Sequence, residues 1–394
     1  MRILMGSFYS GALEGGAEKQ GRLLASALAC RGIDVTYVTA RLPGGEAFLG
    51  QGGVHVHRIP VGPRARGLNY LLDDALYSLG LKRFLASTSG RFDVLHSLGA
   101  FEVTAALMAS AAPAVGARSL VRFASLGELE ILRSRSWVGR FIWRSVLRAD
   151  WYVGNSAPVR DKVLRDYRLP ADRCTLIPNA VEFGPRLSRV EARATLGWPP
   201  DGHVVLCVSK FDPLKNQPLL VRAWPSVVAR FPTARLVFIG AGPMLGRCRH
   251  LARKLSVDGS VSFRGRAGNA EVAVALAGSD VFAFPSKWEG QPYVLLEALA
   301  AGVHCAVSDI PANRAVVEPG VEAECFDPEG AESAAAAISR LLGEPDKARR
   351  LRDRATERTW NEHRVEVVTD QYMALYGRLA RAGVPDAAAP SLPR

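Results

Sequence analysis

No uninterrupted apolar stretch in the 394 residues reaches the ~20 that a membrane-spanning helix needs. The amino-terminal run Met1-Arg2-Ile3-Leu4-Met5-Gly6 carries no secretory apolar core or cleavage site and leads straight into a strand-like segment. The expectation is therefore a cytoplasmic protein. The six cysteines (Cys30, Cys174, Cys207, Cys248, Cys305, Cys325) form no Cys-x-x-Cys pair and have no nearby histidine at ligand spacing. Each stands among apolar neighbours, as in Val204-Val205-Leu206-Cys207-Val208, and reads as a buried free thiol in a reducing compartment. No metal site is expected. Zinc-finger spacing and the aromatic strand motif of RNA-binding domains are missing too, which argues against nucleic acid as a partner. The formal charge of +12 then points to a phosphate-bearing ligand or an anionic membrane surface.

What is present is alternation. Arg2–Gly6, Ile33–Val38, Val54–Pro60, Asp93–His96, Ser119–Phe123 and Trp151–Gly154 read as strands, and Ala17–Cys30 as an amphipathic helix with Gly32 just beyond it. The pattern resumes with strands His203–Lys210, Leu236–Ile239, Val261–Phe263, Val281–Phe284 and His304–Val307, separated by helical segments near 216–230, 243–256, 269–277 and 292–301. Two series of this kind predict an α/β protein of two doubly wound Rossmann-like domains, 1–180 and 181–360, facing across a cleft. The break falls near Pro178-Asn179-Ala180-Val181. A helix over 361–382 is expected to pack back toward the first domain, ahead of a disordered tail, 383–394.

Three loops carry chemistry. In Pro285-Ser286-Lys287-Trp288-Glu289-Gly290-Gln291-Pro292-Tyr293-Val294-Leu295-Leu296-Glu297, a strand end passes into a helix start. An isolated pair of glutamates would read as a solvated turn and a helix-face charge. Here the helix start offers N–H groups and a partial positive end to a diphosphate, and two carboxylates stand ready to accept from hydroxyls. The second loop, Ser209-Lys210-Phe211-Asp212-Pro213-Leu214-Lys215-Asn216, places two lysines at another strand end, where they could neutralise a leaving diphosphate. In the third, Gly15 and Gly16 permit close backbone approach to a ligand, flanked by Glu14 and Glu18. Glu18 equally suits the first turn of a helix as a favourable charge.

Together these segments resemble the retaining glycosyltransferases of family 4, of GT-B architecture. The likeness runs along nearly the whole chain. It takes in Gly15-Gly16-Ala17-Glu18, Asp93-Val94-Leu95-His96, Pro178-Asn179-Ala180-Val181-Glu182, the Lys210–Asn216 loop, Gly240-Ala241-Gly242-Pro243 and, most specifically, the Glu-x7-Glu pair Glu289 and Glu297. The resemblance implies a metal-independent enzyme without a cofactor, acting on a nucleotide-sugar donor and a glycan, lipid-linked or small-molecule acceptor. It implies that Glu289 holds the donor sugar, Glu297 the ribose, Lys210 and Lys215 the diphosphate. The backbone from Gly290 through Tyr293, Val294 and Leu295 would lie beneath that diphosphate, and the loop of Gly15, Gly16 and Glu18 beside acceptor and donor phosphates. The chain departs from the family at Lys210, where arginine is usual, and at Leu98, where a second histidine is frequent. It departs also at Ala312 and Ala315, and in Val121-Arg122-Phe123-Ala124-Ser125, which lacks a histidine. His96 then stands alone after its strand, a position more often structural.

Two other readings compete. A nicotinamide-dependent oxidoreductase would use Gly240-Ala241-Gly242 as a dinucleotide fingerprint, but Leu245 occupies the third glycine position. A catalytically silent nucleotide-sugar sensor or scaffold fits the altered acceptor side. Finally, Arg140, Arg144 and Arg148 recur every four residues beside Trp137, Phe141, Val138 and Ile142. That pattern within 131–148 suits either a core helix with a basic edge or peripheral docking on an anionic membrane.

Overall fold

A computed structural model describes residues 1–8, 16–41, 51–61, 70–100, 102–124, 137–183 and 187–381. The chain divides into two compact units, Met1–Ala180 with the segment from Val365 onward, and Val181–Arg364. In the first unit, strands β1 (Arg2–Gly6), β2 (Asp34–Arg41), β3 (His55–Pro60), β4 (Val94–Ser97), β5 (Arg118–Phe123), β6 (Trp151–Gly154) and β7 (Cys174–Leu176) form a parallel sheet in the order β3-β2-β1-β4-β5-β6-β7. The second unit repeats the winding with β8 (Val204–Val208), β9 (Arg235–Ile239), β10 (Val261–Phe263), β11 (Val281–Phe284), β12 (His304–Ser308) and β13 (Glu324–Phe326), ordered β10-β9-β8-β11-β12-β13. The order reverses beside β1 in one sheet and beside β8 in the other, and such switch points are where open α/β sheets bind ligands.

Strand periodicity distributes the cores. Ile3 and Met5 point to one face of the first sheet, packing with Leu24 and Leu28 of helix Gly16–Cys30 and with Tyr372 and Tyr376 of helix Val365–Arg381. Leu4 and Val38 point to the other, against Tyr77, Leu81 and Met108. In the second sheet Val205 and Cys207 meet Leu220 and Trp224, whereas Val204 and Leu206 meet Leu295 and Leu299. Successive residues of a strand face opposite layers, so near-continuous apolar runs are what a sheet covered on both sides requires.

The carboxy-terminal helical stretch differs from expectation. Residues 361–363 close a preceding helix, Pro345–His363, and a new helix, Val365–Arg381, begins after an extended Arg364. The break is fixed from a distance, because Val181 N–H donates to the His363 carbonyl at 2.8 Å. No glycine or proline marks it. The tail from residue 382 lies outside the described residues.

Candidate active site

In the second unit the central strands β8 and β11 lie side by side in parallel register, Phe282 opposite Leu206. Their carboxyl ends therefore release the Lys210 and Glu289 loops along one edge of the sheet. The two loops are tied through backbone, Lys287 N–H donating to the Leu214 carbonyl at 2.8 Å. They are tied again through side chains, with Lys215 Nζ 2.5 Å from Glu289 Oε1. This pair joins residues 74 apart in sequence. Glu289 is 10 % exposed at its side chain and Lys215 29 %, so the carboxylate is largely removed from water while the ammonium still reaches it.

Lys215 ends a short 3-10 turn, Pro213–Lys215, capped by Asp212, whose carboxylate accepts from Leu214 N–H at 3.0 Å. Asn216 follows at φ 52°, a left-handed conformation that asparagine tolerates better than most residues. Its Nδ2 donates to the Pro328 carbonyl at 2.8 Å and locks the turn in place. Lys210 is exposed and makes no ion pair among the described residues. Its carbonyl is held from behind by the fully buried Gln217, whose Nε2 donates to it and to Ser209 Oγ, each at 2.7 Å.

Glu289 and Gly290 precede helix Tyr293–Ala300, which opens on Pro292 without a side-chain cap. Gly290, Tyr293 and Leu295 are buried and Val294 partly so. Glu297 lies in the second turn, partly buried. A helix start concentrates partial positive charge, so this edge of the sheet combines a dipole, two lysines and two carboxylates.

Sequence reasoning missed the polar struts behind these residues. Asn313 Nδ2 donates to the Ser308 carbonyl at 2.8 Å, and Ser308 Oγ donates to the Ser286 carbonyl, so Asn313 and Ser308 brace the backbone three residues before Glu289. Gln217, Ser286, Ser308 and Asn313 are all fully buried. Nothing separates them in the sequence from ordinary polar loop residues. The Gly240-Ala241-Gly242 segment serves the same loop. A Cβ on Gly240 would lie 2.0 Å from the Ser209 carbonyl oxygen, and one on Gly242 2.3 Å from that of Phe211. Both residues adopt positive φ, and the segment pairs with the Lys210 loop through Phe211 N–H to the Ala241 carbonyl at 3.1 Å. These glycines are consumed in loop-to-loop packing, which removes the basis for a dinucleotide fingerprint.

A cavity of about 740 Å³ elsewhere in this unit is lined by Phe183, Leu187, Arg352, Glu357 and Trp360, with Ala301 and Gly302. Ala301 and Gly302 come just before β12, so the cavity sits at the amino ends of the strands, away from the lysines.

The first unit distributes its polar groups differently. Gly15 lies outside the described residues; Gly16 opens helix Gly16–Cys30 exposed, and Glu18 is partly buried in its first turn. Glu102, which no sequence signal singled out, clamps the end of β1. Its Oε2 accepts from Phe8 N–H at 2.6 Å and its Oε1 from Ser7 Oγ at 3.1 Å. His96 is sealed beneath helix Val365–Arg381, with Nδ1 2.7 Å from Tyr376 Oη. Burial, and secondarily the nearby Arg122 charge, lowers its pKa from 6.5 to about 3, so it is a neutral structural group. The basic stretch forms helix Trp137–Val146 from residue 137 onward, residues 131–136 lying outside the described residues. Arg140, Phe141, Arg144 and Arg148 are exposed, while Val146 is buried and Trp143 packs on Tyr167 with ring centroids 4.3 Å apart. No helix among the described residues is long and apolar enough to cross a membrane, and no three His, Cys, Asp or Glu side chains among them are arranged to hold a metal ion.

Comparison with known proteins gives two family matches. Residues 188–358 match the glycosyl transferases group 1 and residues 15–180 the glycosyl transferase 4-like domain. The chain is similar to a phosphatidyl-myo-inositol mannosyltransferase of Mycolicibacterium smegmatis, 32 % identical over 212 residues, 53 % of each chain. It is also similar to a GDP-mannose-dependent alpha-(1-6)-phosphatidylinositol monomannoside mannosyltransferase of Mycobacterium tuberculosis, 34 % identical over 151 residues, 36 % of this chain and 39 % of the other. The matched segment thus spans about half the length, or less, of these curated relatives. Among solved structures, a sucrose-phosphate synthase from Thermosynechococcus elongatus superposes with a TM-score of 0.82 at 23 % identity, over 97 % of this chain and 100 % of that one. Anabaena HepE, solved with UDP and glucose, does so at 0.80 and 17 %, over 96 % and 100 %.

Proposed function

The chain belongs to glycosyltransferase family 4, and on that premise we propose that it moves a sugar from a nucleotide-diphosphate sugar to an acceptor hydroxyl with retention of anomeric configuration and without a metal. The observation that carries this reading is the joining of Lys215 and Glu289 at the carboxyl edge of the second sheet, directly ahead of a helix start. The donor diphosphate would rest on the amino end of helix Tyr293–Ala300 beside Gly290. Lys215 and Lys210 would neutralise the charge that grows on it as the glycosidic bond breaks, and charge stabilisation of this kind is commonly the largest single contribution to such a reaction. Glu289 would accept from the sugar hydroxyls and Glu297 from the ribose, since ionised carboxylates only accept. The acceptor hydroxyl attacks the face the diphosphate leaves from, and its proton passes to the departing phosphate oxygen.

The named relatives are mannosyltransferases of phosphatidylinositol lipids, so GDP-mannose and an inositol-bearing lipid head the donor and acceptor panels. A lipid acceptor accords with peripheral docking through the exposed Arg140, Phe141, Arg144 and Arg148. Product stereochemistry tests the reading. The anomeric proton of the transferred sugar keeps the donor's configuration by NMR in EDTA-containing buffer; an inverted product contradicts it. Vesicle flotation tests the surface: Arg140→Glu with Arg144→Glu abolishes binding to anionic vesicles, and undiminished binding rejects the docking site.

A further inference from the structure

Lys215 and Glu289 satisfy each other, at 2.5 Å and with the Glu289 side chain nine-tenths buried. Under the reading above, each is the partner of a different part of the donor. A ligand that supplies phosphates alone must draw Lys215 away. It then leaves a largely dehydrated carboxylate without its cation, close to a second anion. Separating a buried pair by taking one partner is far more costly than losing a solvated one. The like charges add to that cost at short range. A ligand that carries a sugar as well replaces both partners at once, giving phosphate oxygens to Lys215 and hydroxyl donors to Glu289. Lys210, which is exposed and makes no ion pair among the described residues, imposes no such condition.

We propose that Glu289 is a specificity-determining residue: its ion pair with Lys215 sets the site against a nucleoside diphosphate that lacks a sugar. The intact donor is thereby preferred over the spent one, and the diphosphate product is expelled as the pair re-forms. This inference rests on the glycosyltransferase reading and assigns the ion pair a role in product release.

The test is calorimetric titration of wild type and Glu289→Gln with GDP, UDP and the matching GDP- and UDP-sugars, in EDTA. Wild type is expected to bind one sugar nucleotide more tightly than the corresponding diphosphate. Glu289→Gln, which keeps the side-chain shape but not the charge, is expected to bind that diphosphate roughly ten-fold more tightly than wild type, within the span usual for coupled groups. The preference for the sugar nucleotide should shrink or reverse. In a Lys215→Ala background, adding Glu289→Gln should bring a smaller gain, because only the carboxylate–phosphate repulsion is then relieved and no pair remains to be broken. If wild type binds both ligands and Glu289→Gln binds the diphosphate no more tightly, the specificity role is overturned while the glycosyltransferase reading stands. If wild type binds neither class of ligand, that reading falls and this inference with it.

Discussion

The two sheets share one winding order yet finish their strands in opposite ways. At the carboxyl ends of the first sheet, His96 and Arg122 among the described residues are closed in. His96 is fully buried against Tyr376, and Arg122 is buried with its guanidinium donating to the Leu98 carbonyl and Asn179 Oδ1. At the equivalent edge of the second sheet, Lys210 is exposed and the Lys215–Glu289 pair remains open to water on the lysine side. Equal topology thus carries unequal chemistry. A buried histidine and arginine hold a sheet edge together, whereas the charged groups on braced loops stand where the proposed donor would exchange partners with them.

Substitutions in the two edges should separate accordingly. The largest effect is expected from Lys215→Ala, which should lower turnover by roughly 10²–10³-fold in a protein that still folds, with the melting temperature reduced because the largely buried Glu289 loses its cation. Turnover within a few-fold of wild type would remove the distinction between the two edges. Next comes Gly240→Ala, whose Cβ would lie 2.0 Å from the Ser209 carbonyl at a positive φ. A loss of about 3 kcal/mol is expected in urea denaturation, with the Lys210 loop displaced.

A smaller effect concerns the first edge. Because the His96 pKa lies near 3 in the folded protein against 6.5 when unfolded, the unfolded chain binds the extra proton between those values. The stability that neutral His96 contributes is complete above about pH 6.5 and is lost as pH falls toward 3. His96→Gln should therefore be less stable than wild type at pH 7, with the gap narrowing at pH 5. His304, lowered chiefly by burial and then by Arg352, acts with the same sign in the second sheet. It cancels in the comparison of the two proteins. A gap independent of pH would mean that His96 is not buried in its neutral form. The smallest effect is expected from Lys210→Arg, because an exposed cation is exchanged for another. Turnover should change by less than about three-fold.

Much of this contrast could be read before the structure, and the unread part has identifiable causes. The strands β1, β8, β9 and β11 declare themselves because each is an apolar run followed by glycine, proline or polar residues. The Glu289 loop is legible for the same reason, since Glu-Gly-Gln-Pro stands between such a run and a helix. Helix Val103–Ala111 escaped because its residues Thr104 through Ala109 are all buried, which erases the polar face that periodicity needs. Strands β7 (Cys174-Thr175-Leu176) and β13 (Glu324-Cys325-Phe326) escaped because each holds one strong strand former, whereas the equally short β10 holds two, Val261 and Phe263. Arg193, fully buried and bonded to Asp280 at 2.6 Å, looks in the sequence like any surface arginine of its helix. The pairing of Lys215 with Glu289 is a product of strand order, and local pattern holds no trace of it.

The claim on which the account turns is that the second unit seats a nucleotide-diphosphate sugar at the start of helix Tyr293–Ala300. Thermal unfolding in EDTA with a panel of UDP-, GDP- and dTDP-sugars addresses it most directly. At a concentration roughly 100 times its Kd, one of them should raise the melting temperature by about 5 °C, and Lys215→Ala and Glu297→Ala should each lose that rise. No shift with any donor, or an equal shift in both variants, would contradict the account.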